Sequence, residues 1–122
     1  MEKFLNGEID LMADVSHTKE REDFMLFPKH IMGIESSWIF TSVNNQKLSA
    51  SDISTLNGIK IGVSKSSTQI EDIKKWLKEN NINASIILYS SDIERQQDCT
   101  DGKIDASIEL DIDSVHDLKA LY

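Results

Sequence analysis

The apolar positions of this chain fall into short runs separated by polar turns, and the clearest of them organises its surroundings. Ile59, Ile61 and Val63 sit at a spacing of two and predict a buried strand, which the polar segment Ser64 to Thr68 turns. Thr68 and Glu71 have capping-box spacing, and Ile70, Ile73, Trp76 and Leu77 form one apolar stripe, so a helix is expected to about Asn80. Ala84 to Tyr89, with Ile86, Ile87 and Leu88, predicts a second buried strand. Ser91 and Glu94 repeat the capping box and start a helix that ends near Gly102, before a strand over Ile104 to Leu110. Val115, Leu118 and Leu121 share a helical face, which predicts a third helix over Ser114 to Tyr122. Strands alternating with helices imply an α/β fold with a parallel-rich sheet flanked by helices and ligands at the carboxyl ends of the strands.

Upstream the pattern is less regular. Phe4 to Val15 predicts a short helical end, a turn at Asn6-Gly7 and a strand through Ile9, Leu11 and Ala13. The charged run His17 to Asp23 follows, and Phe24, Leu26 and Phe27 return the chain to a packed surface before Pro28 breaks it. Ile39 to Val43 predicts a strand, Asn44 to Ser49 a polar connection, and Ser51 to Gly58 one helical turn ended by glycine. Asn6-Gly7-Glu8-Ile9-Asp10-Leu11 and Asp101-Gly102-Lys103-Ile104-Asp105-Ala106 share one pattern, where a helix end enters a strand. A generic helix-to-strand turn accounts for half of it; two lobes of related build account for the rest.

The chemistry concentrates at the turn after the first buried strand. Free backbone N–H groups, a helix dipole and the hydroxyls of Ser66, Ser67 and Thr68 favour an anion such as a carboxylate; the alternative is that Thr68 only caps its helix. The net charge of −8 over 122 residues argues against a nucleic-acid partner, and no apolar run approaches about 18 residues, the length a membrane span needs. The single Cys99 excludes an internal disulfide and is expected to fill a small apolar position in a helix. Glu109, Asp111 and Asp113 alternate and could hold a hard cation, or could be a solvated strand end followed by a helix cap. His17, His30 and His116 are scattered, and no nucleophile and base stand at a catalytic spacing, so an acidic metal-dependent enzyme is the lesser reading.

Four pieces, taken in order, resemble the type 2 periplasmic solute-binding proteins, specifically the amino-acid-binding group called solute-binding family 3. They are Gly7 to Leu11; Thr18-Lys19-Glu20-Arg21 with Phe24 and Phe27; Leu56 to Val63; and Asp101 to Ala106. The resemblance implies a non-catalytic, cofactor-free module on the extracytoplasmic face of a bacterial membrane. Its role would be that of a transport receptor or the sensor domain of a signalling protein. It further implies that Arg21 grips the ligand's carboxylate through paired hydrogen bonds, that Ser16 offers a hydroxyl and Asp14 a backbone carbonyl, and that Ser66, Ser67 and Thr68 hold the carboxylate from the other lobe. Without the resemblance, Arg21 reads as a surface ion pair with Glu20 or Asp23.

The chain also departs from that pattern. The acidic residue that commonly holds the ligand's ammonium, four positions beyond the alanine of the Asp-Ala pair, is Leu110 here, with Glu109 and Asp111 on either side. Glu109 is therefore the acidic candidate, and recognition of a free α-amino group is not implied. The resemblance also implies a truncated arrangement: residues 1–37 a fragment of the first lobe, 38–50 a hinge or crossover, and 51–122 the second lobe. A second copy of the chain could complete it as a homodimer, and exposed Phe24, Phe27, Trp38 and Phe40 would favour an interaction lobe.

Overall fold

A computed structural model of the chain describes residues 1–13, 15–31, 33–65, 67–111 and 115–122. The chain divides into two compact units, Met1–Gly33 and Ile34–Tyr122.

The first unit is loop-rich, with α1 at Glu2–Leu5 and α2 at Lys19–Glu22. Thr18 caps α2, its hydroxyl accepting the Arg21 amide at 3.3 Å. The expected strand through Ile9, Leu11 and Ala13 does not form, because the described residues of this unit include no second strand to take its main-chain hydrogen bonds. The packed surface expected over Phe24 to Phe27 is also only partial. Leu26 is fully exposed and Phe24 is 45% exposed, while Phe27 is half-buried with its ring 4.7 Å from that of His17.

The second unit is a five-stranded sheet of β1 (Ser37–Ser42), β2 (Lys60–Ser64), β3 (Ser85–Tyr89), β4 (Ala106–Leu110) and β5 (Leu118–Ala120), with α3 (Gln69–Glu79) and α4 (Asp92–Thr100). The strand order is β3-β2-β4-β1-β5. β2 runs parallel to β3 and β4, whereas β1 is antiparallel to β4 and β5, so only β1 opposes the common direction. A 3₁₀ turn at Ile53–Leu56 leads into β2, with Asp52 accepting the Ser54 amide.

The third helix expected over Ser114 to Tyr122 is instead β5, with Ser114 itself outside the described residues. A nine-residue stripe supplies little helical stability, and the open edge of β1 offers direct main-chain partners; Leu118 and Leu121 accordingly join opposite apolar clusters, as strand alternation requires.

The two faces of the sheet are unlike. One carries the apolar core of Leu56, Ile61, Val63, Ile73, Leu77 and Ile108 with α3; the other packs Tyr89, Cys99, Ile104 and Leu118 around α4. Cys99 fills a small buried position in α4, as the sequence suggests, and burial pushes its thiol up to about 12. The repeated Gly-containing motif has a local origin. At both α1 and α4 the residue after the glycine donates to the carbonyl five back (Glu8 to Lys3, Lys103 to Asp98, each 2.9 Å), and the glycine donates three back. Gly7 and Gly102 take φ values of +71° and +75° that close these turns. Asn81, at φ 55°, closes α3 in the same way.

α4 can lie against β2 only because Gly62 lacks a side chain: a Cβ there would fall 2.5 Å from Ile104 Cδ1, 2.9 Å from Arg95 Cγ and 3.2 Å from Tyr89 Cε2. Gly62→Ala is expected to destabilise the fold by about 1–3 kcal/mol through overpacking, read as a lower urea midpoint; an unchanged midpoint would mean that the helix has room to yield.

Raised pKa values make alkaline pH destabilising. Burial, then the hydrogen bond to Asp98, also raises Tyr89 to about 12. Both groups are neutral in the fold and ionise earlier when unfolded, so the stability they confer is full below about pH 9 and is lost between there and pH 12. Cys99→Ala should flatten the fall in stability between pH 9 and 11, measured by urea titration at each pH, and an equally steep fall in the variant would exclude the thiol as its source.

Candidate functional site

The carboxyl end of β2 places the start of α3. β2 ends at Ser64, and Lys65 donates its amide to the Tyr89 carbonyl at 2.9 Å, tying the turn to the end of β3. Ser67 and Thr68 are half-buried there. The sequence predicts that Thr68 caps the helix, and it does not: with φ −66° and ψ −18° it already has helical geometry, and its side chain makes no cap bond. The Ser67 hydroxyl instead donates to Gln69 Oε1 at 3.1 Å. The α3 N-terminus thus keeps its dipole and its first-turn amides without a bond from the Thr68 side chain, which is chemistry suited to an anion. Ser66 and Asp14 lie outside the described residues.

In the first unit the structure brings Arg21 and Ser16 together. Arg21 Nη1 donates to the Ser16 carbonyl at 2.7 Å, a contact made by the backbone rather than by the expected hydroxyl. Neither Glu20 nor Asp23 pairs with Arg21, which has no ion pair among the described residues; Glu22, the acid between them, sits 2.7 Å from His17 Nε2. Most of the guanidinium's donors therefore remain open for a planar anion.

Glu109 sits differently from its expected role. It is wholly buried, and both carboxylate oxygens are engaged from within the second unit. Arg95 donates from Nη2 to Oε2 at 2.9 Å and from Nε to Oε1 at 3.2 Å, Gln96 Nε2 reaches Oε2 at 2.9 Å, and the Ser107 hydroxyl also binds Oε1. Arg95 Nε further meets Ser107 Oγ at 2.9 Å, and its Nη1 lies 2.5 Å from Asp92 Oδ1. Burial works against the Arg95 charge, but the hydrogen bonds and charge of Glu109 outweigh it and hold the guanidinium above its ordinary range. A carboxylate so enclosed orients α4 and has no surface to offer a solute.

The sequence reading missed Arg95, Gln96 and Ser107. Two signals were available: Arg95 stands one turn before buried Cys99 on α4, and Ser107 and Glu109 alternate on the face of β4 that α4 covers. The alternating acids do not assemble a cation site among the described residues. Glu109 is satisfied by Arg95, Asp111 accepts the Ser36 amide at 3.3 Å, and Asp113 lies outside the described residues.

The strand order and the helices on either face of the sheet are those of the type 2 periplasmic-binding-protein fold. A probable amino-acid ABC transporter extracellular-binding protein from Bacillus subtilis superposes with a TM-score of 0.70 at 23% identity, over 88% of this chain and 49% of its own. An arginine transport-system periplasmic binding protein from Legionella pneumophila gives 0.71 at 23% identity, over 90% and 45%. A Streptococcus mutans structure concerned with glutathione import through GshT and the cystine importer TcyBC gives 0.66 at 21%, over 87% and 47%. The chain spans about half the length of these structures. No family model matches the chain and no curated protein matches it. No helix among the described residues is long and apolar enough to cross a membrane.

Arg95→Met is expected to cost about 3–5 kcal/mol, because it leaves Glu109 buried without its counter-charge; Arg95→Met/Glu109→Gln should recover part of that loss. Urea midpoints decide it, and a single variant as stable as the parent would mean the pair is not what seats α4.

Proposed function

We propose that this chain is a non-catalytic small-solute-binding module of the extracytoplasmic face, taking an amino acid or a related carboxylate for a transport system or a signalling protein. In this reading the Ser67–Thr68 start of α3 is the second unit's candidate for the ligand's carboxylate, and Arg21, whose Nη1 donates to the Ser16 carbonyl, is the first unit's. The observation that carries it is the start of α3: a helix N-terminus without a Thr68 cap bond, at the carboxyl end of a parallel strand, in a fold shared with binding proteins. Within the first unit, the open guanidinium of Arg21 offers its own donor set for a planar anion. Glu109 is not assigned to the ligand, since its charge is spent on Arg95.

A thermal-shift screen of amino acids and small organic acids tests this. At a hundredfold excess over the dissociation constant a true ligand should stabilise the folded chain by about 2.7 kcal/mol, and Arg21→Ala or Thr68→Ala should each reduce the shift. A shift untouched by both substitutions would remove these residues from the site, and no shift with any carboxylate would defeat the reading.

A further inference from the structure

A hollow lies on the α3 face of the sheet, away from the α4 network. Trp38 of β1 and Trp76 of α3 stand on its walls with Tyr122, over a floor of Ile73 and Ile108, and Asp72 lines its edge; its volume is about 170 Å³. The aromatic wall is held in place. The Trp76 and Tyr122 ring centroids are 5.8 Å apart, the Tyr122 hydroxyl donates to the Ser49 carbonyl at 2.8 Å, and the Tyr122 carbonyl accepts the Ile39 amide at 2.6 Å. Trp38 is nevertheless 42% exposed, so an aromatic surface in this wall stays wet.

Asp72 differs from its neighbours on the same helix. Glu71 pairs with Lys74 at 2.8 Å and Glu79 with Lys75 at 3.9 Å, while Asp72 has no ion pair among the described residues. Three aromatic side chains and one carboxylate without an ion pair line a small, partly apolar hollow, and the chain's net charge of −8 reinforces its negative sign. The positive end of the α3 dipole opposes a cation here, but Glu71 and Asp72 both stand in that first turn and offset it.

From the juxtaposition of Trp38, Trp76 and Tyr122 with the unpaired Asp72 we infer that this hollow is a binding site for a small organic cation, an alkylated or quaternary ammonium group. The methyl groups of such an ion pack on the rings and floor while its charge is answered by the π faces and Asp72; a strongly hydrated metal ion would gain little there. Gln69, whose Oε1 takes the Ser67 hydroxyl, also lines the hollow, so the site adjoins the carboxylate site proposed above, but its ligand chemistry is of opposite charge and its test does not depend on a carboxylate binding.

Trp38 and Trp76 are the two tryptophans of the chain, so intrinsic fluorescence reports on this hollow directly. The whole chain is titrated with choline and with its neutral isostere 3,3-dimethylbutan-1-ol, in parallel with Asp72→Asn and Trp38→Leu, each variant first shown to keep the parent's thermal midpoint. Choline should give a saturable change at least about tenfold tighter than the alcohol, and Asp72→Asn should weaken choline while leaving the alcohol unchanged. Equal binding of the two compounds, no saturable change with choline, or choline binding indifferent to both substitutions would overturn the inference. Should Trp38→Leu alter the midpoint, Asp72→Asn alone carries the test, since Asp72 is exposed and outside the core.

Discussion

Burying a carboxylate in the middle of a sheet removes several kcal/mol of hydration, which only a counter-charge with matching hydrogen bonds can offset. Glu109 meets that condition through Arg95, Gln96 and Ser107, and much of the second unit follows from it. To reach Glu109, α4 must lie close across β2, and the missing side chain at Gly62 is what allows it. One turn further along, Cys99 is drawn into the second apolar cluster, and at the end of the helix Asp98 joins the Tyr89 hydroxyl and Lys103. Losing one partner leaves a buried charge uncompensated, whereas replacing both by well-packed apolar groups can be as stable, so the cost of the pair shows only when it is broken.

Much of this arrangement was legible as local pattern. The runs around Ile61, Ile87 and Ile108, the stripe on α3 and the Ser91 cap each depend on residues within one turn or one strand, and each corresponds to an observed element, although β3, expected to be buried, is an edge strand with Ile87 and Leu88 exposed. What escaped depends on distant partners. Residues 9–13 alternate like a strand but have no strand to pair with among the described residues of their unit, and residues 115–121 carry a helical stripe that the free edge of β1 overrides. Thr68 has the spacing of a cap and lacks the extended backbone geometry that a cap requires. The Arg95–Glu109 pair, fourteen residues apart, could be reached only by knowing that α4 covers β4.

The candidate site divides along the same line. The anion-binding character of the start of α3 is a property of a short contiguous segment, so hydroxyls, dipole and position at a strand's carboxyl end could be read together. For Arg21 the isolated context suggested an ion pair that is absent among the described residues, and its proposed ligand role comes from the resemblance. Glu109 misled because an acid at the end of β4 looks available until the helix above it is placed. An acid consumed by an internal guanidinium cannot also hold an ammonium, and with Leu110 at the neighbouring place the second unit's candidate chemistry is weighted towards the carboxylate end of a ligand.

α3 thereby presents two environments one turn apart that differ in kind. At its N-terminus the attraction for an anion comes from backbone amides and the macrodipole, which are fixed once the helix forms. At Asp72 and Trp76 the attraction for a cation comes from side chains that project from the helix towards Trp38 and Tyr122. Substituting Thr68 or Ser67 leaves the dipole in place and can only trim the first environment, whereas a single change at Asp72 removes the full charge of the second. The proposed anion site therefore rests on one contiguous segment, and the proposed cation site on a few individual residues that only the assembled sheet brings together.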